Sequence, residues 1–428
     1  MKNQYHLLAT KRFLPLFLTQ FLGAFNDNIF KNALVIMITI RLGGLTNSPA
    51  PLLITLAAGL FILPFFLFSS TAGQWADKYD KSMLIRHIKT AEIIIMAIGM
   101  VGFITINIPL LMGVLFLMGS QSAFFGPLKY AILPDHLSQD ELLAGNALVE
   151  TATFIAILCG TITGGIFIMG ANGPAKVAMF TLGLAVLGRL ISSTIPSAPA
   201  VQPELKINYR LFSQTWSSMV YFAHDRYLFR TMIAVSWFWF IGASILSQLP
   251  TYGQRVLLGD ELVITFLLTA FSVGIGCGSL LCNTVLKGRI SLRMLSIAAL
   301  GMSLFLLDLY WLNNTPAPTN QHAIDYSFST FLTQWAHIRV LFDLTALAIC
   351  GGVYIVPLYA VIQQRAPADH RARAIANLNV LNALFMVISA LLMMGLLSLK
   401  LTIPEIFLTL AIMNIMLLPW FHKLSKNA

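Results

Sequence analysis

Long apolar runs alternate with short polar ones along this chain. Runs of spanning length cover about 13–41, 50–72, 86–106, 108–130, 142–170 and 174–195; after a polar stretch they resume at 230–256, 261–286, 291–313, 336–363, 374–399 and 402–421. A helix crosses the roughly 30 Å hydrocarbon core with about 20 apolar residues, so each run predicts one membrane helix. The expectation is an all-α membrane protein of twelve transmembrane helices in two six-helix halves, 1–195 and 230–428. Between them, Pro196, Pro199 and Pro203 precede a mixed polar and aromatic run. That pattern predicts a cytoplasmic linker, 196–229, containing an interfacial amphipathic helix. The segment 313–335, with Pro316 and Pro318 and no basic residue, is expected to be a passive external loop rather than a lid.

An internal echo supports duplication. Pro127-Leu128-Lys129-Tyr130-Ala131-Ile132 in the fourth run returns as Pro357-Leu358-Tyr359-Ala360-Val361-Ile362 in the tenth. After each comes a polar loop, then Asn146-Ala147-Leu148-Val149 or Asn377-Leu378-Asn379-Val380-Leu381. Similar segments at equivalent places in two six-helix halves predict parallel repeats about an axis normal to the membrane, with a substrate between them.

Composition agrees with a lipid-dissolved chain: 57% of residues are hydrophobic and only 10% charged, which leaves no room for a sizeable soluble domain. The net charge of +10 does not indicate nucleic-acid binding, because the basic residues form no continuous patch and sort by side. With both termini inside, 20 of the 27 Lys and Arg fall in inside segments, Lys78, Lys81, Arg86, Lys89 and Lys129 among them. Only Arg41, Lys176, Arg255 and Lys400 fall outside, a strong orientation signal. Cys159, Cys277, Cys282 and Cys350 each sit in an apolar run and imply neither disulfide nor metal. No cofactor is expected. Met1 to Arg12 lacks the short apolar core and small-residue site of a cleaved signal peptide.

Ionisable groups inside a membrane are expensive and need a partner or a wet cavity. The first run carries Asn26-Asp27-Asn28 and, a turn later, Lys31-Asn32. Asp27 and Lys31, at i and i+4, are placed to neutralise each other on one face. Five polar groups exceed what one internal pair needs, which favours a substrate or gating role. Lys129 ends the fourth run, while Asn146 and Glu150 open the fifth at similar depth. Lys129 and Glu150 can latch the inner ends, or Lys129 can attract a phosphate as a point charge. In the second half, Arg339 and Asp343 are expected to form a structural i, i+4 pair. Asn377, Asn379 and Asn382 occupy the counterpart of the Asn146–Glu150 face. Glu92 and Asp308 lie in apolar runs with no obvious near partner. Gly160, Gly164 and Gly165, like Gly274 and Gly278, predict close helix packing.

The loop Gly73-Gln74-Trp75-Ala76-Asp77-Lys78-Tyr79-Asp80-Lys81 resembles the major facilitator signature. The resemblance implies a cytoplasmic latch of Gly73, Asp77, Lys78 and Lys81, with Asp77 at a helix N-terminus whose dipole favours a carboxylate. Asp80 replaces the usual second Gly, and Ser82 stands where a basic residue is common. Three further segments are similar to the bacterial lysophospholipid transporters, including the transporter half of fused acyltransferase proteins. They are Arg12-Phe13-Leu14-Pro15-Leu16-Phe17-Leu18-Thr19-Gln20-Phe21-Leu22-Gly23-Ala24-Phe25-Asn26-Asp27-Asn28, Phe125-Gly126-Pro127-Leu128-Lys129-Tyr130-Ala131-Ile132-Leu133-Pro134 and Gly145-Asn146-Ala147-Leu148-Val149-Glu150. This second resemblance implies movement of lysophosphatidylethanolamine and lysophosphatidylglycerol from the outer to the inner leaflet of a bacterial inner membrane for reacylation. A separate acyltransferase on the cytoplasmic face is an implied partner. The alternative is a generic facilitator of a drug or other small solute. A membrane acyltransferase would use His with Asp five positions on, and none of the eight His has an Asp there.

Overall fold

A computed structural model of the protein describes residues 4–42, 50–313 and 327–426; most of the expected external loop at 313–335 lies outside them. Among the described residues twelve helices are long: α1 (Leu14–Leu42), α2 (Ala50–Lys78), α3 (Lys81–Ile104), α4 (Ile108–Ala131), α5 (Gln139–Met169), α6 (Gly173–Ser192), α7 (Arg226–Thr251), α8 (Glu261–Val285), α9 (Leu295–Asn313), α10 (Trp335–Arg365), α11 (Arg371–Ser398) and α12 (Ile403–Lys426). Eleven of them are apolar enough by composition to cross a membrane. The other, α1, matches them in length at 29 residues and carries the polar row Asn26–Asn32 in its middle. A 13-residue linker helix, Leu211–Ala223, precedes α7.

Several helices extend past the apolar runs because capping groups satisfy the backbone donors that a helix end exposes. Asp80 caps α3 by accepting from the Met83 N–H at 2.8 Å, so α3 starts at Lys81 rather than near 86. Ser138 and Glu141 form a capping box at the start of α5. The Arg12 guanidinium then grips both Glu141 carboxylate oxygens at 2.8 and 2.6 Å, tying the segment before α1 to α5.

By contact the chain groups into two units. The first comprises Met1–Gly145, Ile155–Leu228 and Ile362–Ala383; the second comprises Asn146–Phe154, Phe229–Val361 and Leu384–Ala428. In the first unit α2 packs on α4, α3 on both α4 and α6, and α1 on α6. The small residues of α5 let it approach α1 closely: a Cβ on Gly164 would stand 2.6 Å from the Ile29 carbonyl oxygen. In the second unit α9 packs on α12. Their seam is fastened by Asn414, which donates to the Ala299 carbonyl at 2.7 Å and the Ser303 hydroxyl at 2.9 Å. Gly278 of α8 lies against the Ile349 carbonyl of α10, where any side chain would collide with backbone.

Candidate functional site

The polar row of α1 fans out to four neighbouring helices. Asn26 is fully buried and donates to Glu92 Oε1 at 3.0 Å. Glu92 also accepts from Lys89 Nζ at 2.6 Å, and that ammonium lies 4.7 Å from the centre of the Phe125 ring. Glu92 therefore has partners that the apolar run concealed. Lys89, counted above among inside residues, is instead buried inside α3 at 1% exposure. Gly23 makes room for it, since a Cβ there would stand 2.5 Å from Lys89 Nζ.

Asp27 does not take the partner expected from its spacing. Its Oδ2 accepts from the Ser122 hydroxyl at 2.7 Å, and its Oδ1 faces the Gln121 amide at 3.5 Å. Lys31 lies half-buried with its ammonium 4.5 Å from the centre of the Phe61 ring, and among the described residues no Asp27–Lys31 ion pair forms. The i, i+4 geometry permits a pair, but the neighbouring hydroxyl and ring satisfy both ends separately. Asp27 is buried, at 8% exposure against 0% for Asn26. The Gln121 Oε1 beside it has no hydrogen-bond donor among the described residues. Asn28 and Asn32 serve packing, donating to the carbonyls of Ala24 at 2.7 Å and Thr161 at 2.6 Å.

At the end of the bundle that carries the basic loops, Asp77 is 1% exposed on the last turn of α2. Its Oδ2 accepts from Arg373 Nε at 2.8 Å and its Oδ1 from the Ala372 N–H at 3.3 Å. The carboxylate thus sits on the N-terminus of α11, where backbone donors and the helix dipole favour negative charge. Gly73, one turn earlier, permits this contact: a Cβ would stand 2.7 Å from Ala376 Cβ and 2.9 Å from Arg373 Cα. Lys81 pairs with Asp135 at 2.9 Å, and Arg371 reaches the other oxygen of Asp135 at 3.8 Å. Lys78 lies over its neighbour Tyr79 at 5.7 Å. Two ion-pair bridges, Asp77–Arg373 and Lys81–Asp135–Arg371, therefore join the α2–α3 turn and the α4 end to the start of α11.

A Major Facilitator Superfamily profile matches residues 16–332, the length that carries this turn and the polar row. The chain belongs to the Major Facilitator Superfamily. Among curated relatives, "Lysophospholipid transporter LplT" of Serratia proteamaculans (strain 568) is 25% identical over 401 residues, 92% of this chain and 89% of that one. The protein of the same name from Klebsiella pneumoniae (strain 342) is 26% identical over 92% of this chain and 90% of its own. Solved structures share the fold at lower identity. The human organic anion transporter MFSD10 (TETRAN) superposes with a TM-score of 0.72 at 12% identity, covering 95% of this chain and 99% of its own. A bacterial homologue of the iron transporter ferroportin in an outward-facing state gives 0.71 at 13%, covering 96% and 99%.

Other predicted positions of this superfamily member fall as follows. Lys129 is half-buried on the last turn of α4, its ammonium 4.7 Å from the Tyr130 ring centre. Asn146 and Glu150 are fully buried on α5. Asn377 is buried and donates to the Ser218 hydroxyl of the linker helix at 2.6 Å. Asn379 faces α4, its Nδ2 2.5 Å from where a Gly126 Cβ would stand. Asn382 is buried at 8% exposure. Arg339 does not pair with Asp343. It makes a two-pronged bridge to Asp308 at 3.0 and 2.5 Å, because the α9 carboxylate matches the guanidinium fork across the helix seam. Asp308 thereby gains the partner its apolar run hid.

Sequence reasoning passed over Ser122, Gln121, Asp135, Arg371 and Arg373 as site residues. The one available signal lay in Arg371-Ala372-Arg373, a basic pair entering the eleventh run at the point equivalent to Glu141–Leu143 in the fifth.

Proposed function

We propose that this protein is a lysophospholipid transporter of the bacterial inner membrane, with both termini cytoplasmic. It moves lysophosphatidylethanolamine and lysophosphatidylglycerol from the outer to the inner leaflet for reacylation. Transport proceeds by alternating access of two six-helix halves, 1–195 and 230–428, joined by the linker. The observation that carries this reading is Asp27: a carboxylate kept in mid-span, held by a hydroxyl and an amide rather than neutralised by the lysine one turn away. Such a group costs stability in hydrocarbon unless it has work to do. An ethanolamine ammonium supplies both a counter-charge for Asp27 and donors for the Gln121 carbonyl oxygen. Lys31, its ammonium over the Phe61 ring, or Lys129 serves the phosphate as a point charge. The names and near-full coverage of the curated relatives point the same way.

The Asp77–Arg373 and Lys81–Asp135–Arg371 bridges act as the cytoplasmic latch of that cycle. An acyltransferase at this face would receive the delivered lysolipid. Leaflet-resolved lysolipid movement in proteoliposomes tests the proposal. The wild-type protein should accelerate inward movement of lysophosphatidylethanolamine, and Asp27→Ala should reduce it at least about ten-fold, the loss of roughly one charge-assisted hydrogen bond, without loss of folding. Unchanged lysolipid movement with either protein, or movement of an unrelated solute instead, refutes the assignment.

A further inference from the structure

The linker between α6 and α7 has two jobs built into one stretch of chain. On its inner side it is stitched to the latch. The N–H groups of Val201 and Gln202 both donate to the Asp77 carbonyl, at 3.1 and 2.8 Å. Gln202 accepts from Arg373 at 2.7 Å and donates to Asp369 at 3.1 Å. Asn208 and Gln74 exchange two hydrogen bonds, at 2.8 and 3.1 Å. Ser218 accepts from Asn377, and Tyr221 stacks on His370 with centres 5.0 Å apart. The linker therefore shares Asp77 and Arg373 with the contacts that join α2 to α11, and holds Asn377 one turn further along α11.

Its other side is unlike a solvated loop. On the linker helix, Leu211, Thr215, Ser218 and Phe222 turn inward, whereas Phe212, Trp216 and Val220 form an outward stripe, with Tyr209 exposed just before the helix. Phe212 is 77% and Trp216 73% exposed, in a helix ending two residues before a membrane span begins. The helix's C-terminal end cannot stand more than about 10 Å from the span's first turn, and its N-terminal end is tied to the last turns of α2 by Asn208 and Gln74, so both ends of the apolar stripe are held near the level of the lipid surface. Lys206, Arg210 and Arg226 are exposed around it. Glu204 is the acid that opposes them, since Asp225 is taken up by Arg365 at 3.2 Å. An aromatic stripe bordered by basic residues complements an anionic lipid interface.

We propose that the outward face of the linker helix docks on anionic lipid headgroups, and that this docking steadies the latch through the hydrogen bonds on its inward face. Anionic lipid would then lengthen the time the latch stays shut, whatever solute the protein carries.

Amide hydrogen exchange on the full chain tests this, in nanodiscs of phosphatidylcholine alone and of phosphatidylcholine mixed with phosphatidylglycerol. Amides of 200–223 and 371–377 should exchange several-fold more slowly in the anionic discs. Phe212→Ser with Trp216→Ser should abolish the difference. Lys206→Gln with Arg210→Gln should shrink it, each lost charge weakening docking about five-fold, and raised salt should mimic that variant. Trp311→Ser, an exposed aromatic on α9, should keep the full response. Equal exchange of the wild-type protein in the two lipids overturns the proposal, as does a folded aromatic variant that retains the whole difference. Protection that arises only on adding a soluble protein would assign the face to that partner and overturn it too. None of these readouts uses lysolipid flux, so failure here is distinct from failure of the proposed substrate.

Discussion

Asp77 and Arg373 meet at 2.8 Å although 296 residues separate them in sequence. Their contact is buried on the aspartate side and shares its geometry with the α11 N-terminus, so the two members are not equivalent. Removing Arg373 strands a carboxylate in a site closed to water, whereas neutralising Asp77 leaves a guanidinium that still reaches Gln202. Breaking one side of a buried pair costs about 3–5 kcal/mol, most of it the stranded charge. Arg373→Ala is therefore expected to lower thermal stability more than Asp77→Asn, and Arg373→Ala combined with Asp77→Asn to regain part of the loss. Melting temperatures of the three purified variants check the ordering; a cycle in which the two effects simply add denies the coupling.

Gly73 makes a sharper test of the closed latch, because the obstruction is backbone. A methyl placed there would stand 2.9 Å from Arg373 Cα, and overpacking of this kind costs about 1–3 kcal/mol. Only the state in which α2 rests on α11 incurs that cost. Gly73→Ala should therefore shift the population toward the open latch, and a thiol introduced at Ala376 should react with a water-soluble maleimide several-fold faster in this background. No change in labelling rate would mean that the two helices stay together in every state.

Most of the architecture was legible from hydropathy, since a dozen apolar runs of spanning length leave few alternatives. The helix ends were not, because they depend on capping: Asp80 and Ser138 each begin a helix several residues before the apolar run does. Pairing was read worst. Spacing on one helix suggested Asp27 with Lys31 and Arg339 with Asp343, but the partners that matter, Ser122 and Asp308, come from neighbouring helices that spacing cannot see. Glu92 shows the same blindness to packing: Lys89, three residues earlier, falls among the basic residues that mark the inside end of its run, and only the packing shows it buried against the carboxylate. The resemblance implied Asp77 at a helix N-terminus; the residue stands on the last turn of α2 with its carboxylate against the start of α11, and the sequence alone did not single out Arg373 as its partner.

Lys89 and Glu92 are exposed by 1% and 2% and satisfy each other with help from Asn26 and Phe125. An apolar replacement of both can match or exceed such a pair in stability, while removal of one is costly. Lys89→Ala is accordingly expected to destabilise the protein by about 3 kcal/mol or more, and Lys89→Met with Glu92→Leu to restore most of it. If the double variant also keeps lysolipid movement, the pair is architectural and the substrate contacts centre on Asp27. If movement is lost in a stable double variant, the network belongs to the transport path.

Asp80, standing where the superfamily signature usually has Gly, explains its own presence. Its backbone has a φ of −57°, so no glycine is needed there, and the side chain gains four donors. The hydroxyls of Ser82 and Ser197 reach it at 2.6 Å each, the Met83 N–H at 2.8 Å and the Ala198 N–H at 3.0 Å. Burial works against the charge, but these hydrogen bonds outweigh it and hold the carboxyl below the ordinary aspartate range. A depressed carboxyl stabilises the folded form fully above its unfolded value, and the contribution is lost only as pH falls through the lowered folded value. The docking of the linker at Ser197 and Ala198 should therefore be constant between about pH 5 and 8. Asp80→Ala removes both the α3 cap, about 1 kcal/mol, and the linker's attachment at Ser197 and Ala198. Limited proteolysis within 196–210 should then be several-fold faster than in the wild-type protein at every pH in that window; a wild-type cleavage rate that climbs between pH 8 and 5 would show that another group fastens the linker.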